Sequence, residues 1–364
     1  MFRDAPGPIS PTLYRRAILC ALAAGLVPGP PAIAKHQITK FEIQGATNIF
    51  QTSIANGVIA GTYTDALHTP SGFIRTPDGR ITTFDVPGGG GTQVSNINDE
   101  GTITGDYFGS EAKGNDGNYG KGGKSAIRNN VYIVTHGFVR EANGKFIRFD
   151  VPGSGFTDAV AINDRGAIAG DYLDGSEAIH GYMRAANGVF VHFNPAGSAE
   201  TWPKSINRSG AITGWYVDRA GIQHGFVRAA DHKITIFDPP GATSTDPCSI
   251  NEFGVITGWY QSGAVYHGFV RGSDGTITAF DPAGAIGTAP CCIDKLGRIT
   301  GNYFDSSDVE HAFIRSKSGN ITTFDVRGAS GTAPSGIDSN PGDSGAIAGQ
   351  YSVGDTYYGF LRSR

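Results

Sequence analysis

Charge is scarce in this chain. Asp, Glu, Lys and Arg make up 17 % of its 364 residues, below the ~25 % of an average soluble domain. No run of Lys and Arg forms a basic stripe, which argues against a nucleic-acid partner. Cysteine is scarce too. There are four, with no Cys-x-x-Cys and no Cys/His pair at metal-ligand spacing, so no metal site is read from them. Catalytic fingerprints are missing as well: no Gly-x-Ser-x-Gly, no His-Glu-x-x-His, no phosphate-binding glycine loop. The sequence therefore names no catalytic residue and no cofactor, and leaves open whether the protein is an enzyme.

Long apolar runs are limited to one. Residues 17–27 follow Arg15-Arg16 and are too few to span a bilayer. Ala32-Ile33-Ala34 then offers a small-residue cleavage site, so residues 1–34 read as a secretion signal. The string Tyr14-Arg15-Arg16-Ala17-Ile18-Leu19 resembles a twin-arginine signal, and both export routes stay open. The mature chain, 35–364, is expected to be secreted, periplasmic or extracellular, with no membrane span. Cleavage leaves 26 basic against 32 acidic side chains, a net charge of −6. Three cysteines stay behind: Cys248, Cys291 and Cys292. They could form a Cys248–Cys291 staple, a vicinal Cys291–Cys292 bond, or buried free thiols.

Glycine is abundant, 54 of 364 residues, and one glycine signature recurs. Ile-(Thr/Ala)-Gly-x-Tyr occurs at 59–63, 103–107, 168–172, 212–216, 256–260, 299–303 and 347–351. The steps between its tyrosines are 44, 65, 44, 44, 43 and 48 residues. A period in the forties without helical patterning predicts one small sheet per repeat, arranged radially. The expected fold is all-β: a seven-bladed β-propeller of four-stranded blades. In blade four, strands are expected at 201–206, 211–216, 223–228 and 233–238. Turn glycines such as Gly101, Gly166 and Gly210 separate the first two strands of a blade, and Asn-Gly or Asp-Gly pairs the last two. Asp231-His232 departs from that rule and should be strained. The last repeat ends after its third strand, whereas residues 37–44 read like a fourth. The N-terminal strand is thus expected to complete blade seven and remove an open edge. An insertion of about 21 residues, near 109–130 in blade two, reads as a glycine-rich surface loop.

His136-Gly137-Phe138, His180-Gly181-Tyr182, His224-Gly225-Phe226, His267-Gly268-Phe269 and His311-Ala312-Phe313 begin the third strands. With Ala161-Ile162-Asn163-Asp164-Arg165-Gly166 and its relatives, they resemble the bacterial extracellular HAF-repeat proteins over about residues 37–364. The resemblance implies a secreted or surface protein and carries over no catalytic residue.

What recurs in every blade reads as scaffold. The five histidines are spread around a ring, too far apart to share one ion, so they are expected to make structural hydrogen bonds. Arg75, Arg140, Arg184, Arg228, Arg271, Arg315 and Arg362 end the third strands. Glu42, Asp85, Asp150, Asn194, Asp238, Asp281 and Asp325 sit on the fourth. A scaffold ion pair between the two sets is expected. The recurring glycine before a third-strand aromatic should leave room for a neighbouring ring or backbone.

Function is sought where the repeat breaks. The first strand of each blade should line a central channel. Four places before its Ile-Asn/Asp lie Gln93, Asp158, Trp202 and Asp246; two places before it lies Lys204. Strand alternation puts these places on one face. Trp215 and Trp259, just before the signature tyrosine, could extend that surface. An exposed Trp202 beside carboxylates and a Lys would suit a sugar, while the alternative is that the tryptophans pack between blades. The reading is a secreted binding module presenting a channel rim to a glycan or a surface protein, and Trp202→Ala and Asp158→Ala should then weaken retention without unfolding. The alternative is an extracellular polysaccharide lyase or glycosidase. A glycosidase would pair Asp158 with Asp246, and a lyase would use Lys204 or His68 as base.

Overall fold

The computed structural model describes residues 37–111, 127–128, 131–339 and 345–363. The signal segment, and most of the blade-two insertion (112–126 and 129–130), lie outside the described residues. Every regular element described is a strand, so the fold is all-β.

Among the described residues, strand pairing gives five sheets, of eight, five, eight, four and four strands. Antiparallel strands recur through them with the sequence signature, and each recurrence is called a repeat, one to seven. Their first strands are Asn48–Ala55, Thr92–Ile97, Phe156–Ile162, Ser198–Ile206, Ser244–Ile250, Gly287–Ile293 and Gly331–Ile337. Repeat four shows the plan: Ser198–Ile206, Ile212–Asp218, Gln223–Arg228 and Ile234–Phe237. The strands match the expected segments, with the first extended back to Ser198. Its turn glycine Gly210 has φ +88°. His232, at the place where other repeats carry glycine, is forced to φ 75°, a conformation that costs a β-carbon residue free energy. In repeat seven the fourth strand is Gln37–Phe41, paired antiparallel with Thr356–Ser363 from Gln37↔Ser363 to Phe41↔Gly359.

Hydrogen bonds link each repeat to the next. The side-chain amides of Asn98, Asn163, Asn207 and Asn251 donate to the backbone carbonyls of Asn163, Asn207, Asn251 and Asp294 at 2.9–3.1 Å. Asn56 Nδ2 donates to Asp99 O, Lys295 N to Ser339 Oγ, and Gly57 N to Asp338 Oδ2. Together they connect one to two, and so on through seven back to one. These Asn and Asp residues close the first turn, so the residue that shapes the turn also joins the sheets.

Between sheets, the third-strand aromatics Phe73, Phe138, Tyr182, Phe226, Phe269, Phe313 and Phe360 are fully buried. The glycine before most of them is required. A β-carbon at Gly72, Gly137, Gly181, Gly225, Gly268 or Gly359 would strike the fourth-strand Phe of its own sheet.

The repeated histidines are structural, as expected, but the arginines do not pair with the fourth-strand carboxylates. The hairpin register sets Arg140 opposite Phe146 and Gly137 opposite Phe149. Arg140 and Asp150 therefore sit at opposite ends of the hairpin, and His136 faces Asp150 instead. His136, His224, His267 and His311 bond Asp150, Asp238, Asp281 and Asp325 through Nδ1 at 2.7–2.9 Å. In repeat three Asn194 Nδ2 donates to His180 Nδ1 at 2.7 Å, and His180 Nε2 reaches Asp174 Oδ2 at 2.8 Å. Each arginine lies over the fourth-strand Phe of the preceding repeat, as Arg228 over Phe193 at 5.1 Å and Arg362 over Phe324 at 4.7 Å. Burial lowers their pKa values, and the ring face stabilises the desolvated cation.

Candidate functional site

Within each repeat the candidate residues on the first and second strands share a face because they are cross-strand partners. Gln93 pairs with Asp106, Asp158 with Asp171, Trp202 with Trp215 and Asp246 with Trp259. Simple alternation does not carry that surface down the first strand. Every first strand has a bulge, between Pro203 and Ser205 in repeat four and between Pro247 and Ser249 in repeat five. Lys204 and Cys248 are the extra residues. Contacts still hold them to the surface: Lys204 Nζ lies 5.8 Å from the Trp215 ring centroid, and Cys248 Sγ 3.8 Å from Asp246 Oδ1. The bulge also explains the signature glycine. A β-carbon at Gly105, Gly170, Gly214 or Gly258 would land on the carbonyl oxygen of Gln93, Asp158, Trp202 or Asp246.

Repeats four and five form the first cluster. Trp202 is not exposed, contrary to the sequence expectation; its accessible fraction is 8 %. Its cross-strand partner is another tryptophan, and the two indoles stack at 5.2 Å and 24°. Its N–H donates to Glu200 Oε2 at 3.1 Å. Trp215 is half-buried, and its buried Nε1 has no acceptor among the described residues. Trp259 is half-buried and meets Tyr266 edge-on at 5.0 Å. Burial pushes the Asp246 carboxyl up to about 6, against the opposing pull of Lys204 and of hydrogen bonds from Cys248 and Gln223.

Repeats two and three form the second cluster. Asp158 Oδ1 accepts from Thr135 Oγ1 at 2.9 Å, Asp106 Oδ1 from Ala159 N at 2.6 Å, and Asp158 O from Tyr182 at 3.0 Å. Asp171 is almost wholly buried. Burial, then the neighbouring Asp158 charge, raises the Asp106 pKa well above the carboxylate range. Burial and the same three carboxylates raise the Tyr182 pKa. Gln93, half-buried, borders this cluster.

The seven sequence candidates thus divide into two groups, Gln93 and Asp158 in one, Trp202, Lys204, Asp246, Trp215 and Trp259 in the other. Asp158 is surrounded by Asp106, Asp171 and Thr135, whereas Lys204, Cys248 and Gln223 act on Asp246. The two carboxylates considered for a glycosidase therefore sit in different surroundings. His68 is exposed, in the turn between the second and third strands of repeat one. Cys248, Cys291 and Cys292 are free thiols. Burial and their neighbours push the Cys248 and Cys291 thiols well up, the reverse of an activated nucleophile.

The other end of the first strands was read from sequence only as turns. There a cavity of about 140 Å³ is lined by residues of all seven repeats. The residues after Ile-Asn/Asp vary: Asp99, Asp164, Arg208, Glu252, Lys295 and Ser339. That break in the repeat was the available signal.

Solved structures similar to this chain set its class. A streptogramin B lyase is 15 % identical with a TM-score of 0.57, over 92 % of this chain and all of that one. A catalytically inactive virginiamycin B lyase from Staphylococcus aureus, solved with quinupristin, is 14 % identical at 0.57, over 90 % and 99 % of the two chains. The β-propeller domain of the Trilobed protease from Pyrococcus furiosus is 9 % identical at 0.58, over 87 % and 95 %. The class is an all-β, propeller-like protein. At such identities the likeness concerns the fold and not the activity. No family model matches the chain, and no curated protein matches it by sequence. Among the described residues no helix is long and apolar enough to cross a membrane.

Proposed function

We propose that this chain is a seven-bladed β-propeller of the extracellular HAF-repeat kind, secreted after cleavage near Ala34, and that it binds a glycan at the inner-strand rim of repeats four and five. The observation that carries the reading is the buried Trp215 N–H without an acceptor, beside the Lys204 ammonium. The Lys204 ammonium lies over the ring face, and among the described residues no oxygen accepts from the Trp215 N–H. A sugar hydroxyl supplies one and can donate in turn to Asp246. The half-buried rings of Trp259 and Tyr266 offer apolar faces to sugar C–H groups. Carbohydrate needs such an amphipathic surface and no nucleophile, and the high thiol pKa values fit a site that does not attack its ligand.

A polysaccharide array tests this. Purified protein is scored for retention and for released products, including absorbance from new C=C bonds. Retention without products, reduced by Trp215→Phe, is the expected result. Products would replace the binding reading with an extracellular lyase or glycosidase acting at the same rim. Retention unaffected by both Trp215→Phe and Trp259→Ala would remove the site.

A further inference from the structure

A cavity lies at the far end of the first strands, away from the rim. Four residues separate Ile206, which lines it, from Trp202, roughly 12 Å along a strand. Its inner wall takes one isoleucine from each repeat, from Ile54 to Ile337. Its volume of about 140 Å³ is many times the ~10–15 Å³ that one water needs. Asp99, Asp164, Glu252, Lys295 and Ser339 also line it.

Lys295 of repeat six reaches Asp99 of repeat two, Nζ to Oδ2 at 3.6 Å. Lys295, with Arg208 acting on Glu252, does not offset the burial of the carboxylates. Burial, then Asp164, raises the Asp99 pKa despite Lys295, and burial raises that of Glu252. The backbone N–H groups of Asp99 and Arg208 already bind Asp164 and Glu252, which fixes those carboxylates in place. Beside them, Phe253 is 70 % and Leu296 50 % exposed, in equivalent places of adjacent turns. The isoleucines give the cavity a small apolar floor beneath a mostly polar rim that carries three carboxylates, and together they complement a ligand with a short aliphatic stem and a cationic head.

We propose that this cavity binds a primary alkylammonium group, its stem against the isoleucines and its ammonium among Asp99, Asp164 and Glu252, in place of Lys295. The group can belong to a free amine or to a lysine side chain of another protein. In the second case Phe253 and Leu296 would pack on the flanking residues.

Calorimetric titration with n-pentylamine, with 1-pentanol as the uncharged control, tests the site. The amine is expected to bind at least about tenfold more tightly than the alcohol, and less tightly as salt is added. The Asp164→Asn/Glu252→Gln double variant, which keeps both backbone acceptors, should lose about tenfold or more of that affinity. Lys295→Met removes the competing cation and should tighten it. The peptide acetyl-Leu-Lys-Leu-amide distinguishes the sources: Phe253→Ala with Leu296→Ala weakens the peptide alone if the natural ligand is a protein lysine, and neither probe if it is a free amine. No amine binding at millimolar concentration, equal binding of amine and alcohol, or affinity unchanged in both carboxylate and Lys295 variants overturns the proposal.

Discussion

Trp202 and Trp215 stack at 5.2 Å across neighbouring strands, and their N–H groups differ in fate: Glu200 accepts from Trp202, while Trp215 has no acceptor among the described residues. The pair therefore divides its labour between folding and binding. Trp202→Ala removes a buried ring and should destabilise the fold by about 3–5 kcal/mol. Trp215→Phe keeps an aromatic partner and should leave the unfolding midpoint nearly unchanged, while glycan affinity falls about fivefold, the equivalent of one hydrogen bond. Denaturant unfolding and ligand titration on both variants separate the two roles. Equal stability loss in both would contradict the division.

Asp246 links the site to pH. Its folded pKa of about 6 lies above the unfolded carboxylate value of 3.8. Stability is fully present below about pH 4 and is lost as pH rises towards 6, because the unfolded state ionises first. Relative to Asp246→Asn, the wild type should lose roughly 2–3 kcal/mol between those limits and no more above them. Urea unfolding of both proteins across that range gives the difference directly. A flat difference would place Asp246 in a wetter setting than the one described.

His311 shifts stability with pH in the same direction, through a cation rather than a neutral acid. Burial works against its charged form, but hydrogen bonds and charge from Asp325 and Asp305 prevail and raise its pKa. The resulting stability is present below the ordinary histidine range and fades as pH rises through the folded value. His311→Gln should therefore destabilise more in mildly acidic than in mildly alkaline buffer. Melting temperatures at two pH values suffice, and an equal loss at both would show that the imidazolium contributes nothing.

Double-mutant cycles should show the wiring of the hairpins. His224 and Asp238 share a 2.7 Å hydrogen bond, so His224→Gln and Asp238→Asn should couple by about 0.5–1 kcal/mol or more. Arg228 packs on Phe193 instead, and Arg228→Met with Asp238→Asn should come close to additive. Strong coupling in the second cycle would restore the ion pair.

Gly214 should tolerate no side chain. The β-carbon of Gly214→Ala would sit on the Trp202 carbonyl at the bulge, and overpacking of this kind costs about 1–3 kcal/mol or more. Gly175, in a loop with open space around it, serves as the control whose replacement by Ala should cost little.

Much of this architecture was legible because local rules repeat seven times. The turn glycines, the strand limits of repeat four and the pairing of residue 37 with residue 363 all follow from patterns visible within one repeat or between its copies. Register was harder. The recurrence of Arg228 and Asp238 shows that both matter, but only the hairpin pairing shows that they sit at opposite ends and that His224 faces Asp238. The bulges were also hidden: Pro203 and Pro247 mark them, yet an extra residue in a strand leaves no period of its own. At the rim, Trp202 was recognised as unusual, but its burial follows from Trp215 lying directly across from it, a long-range fact. The Lys295–Asp99 contact joins repeats six and two, and no spacing along the chain announces it.

Residue 37 lies opposite residue 363, and the antiparallel pairing runs inward from there. Tension applied between these two points would thus load one pair of backbone bonds at a time, like a zipper opened at its tab. The same ladder pulled lengthwise would resist along all its rungs together. A tether attached at residue 37 or at residue 363 would leave the sheet from nearly the same spot and pull on the same seam.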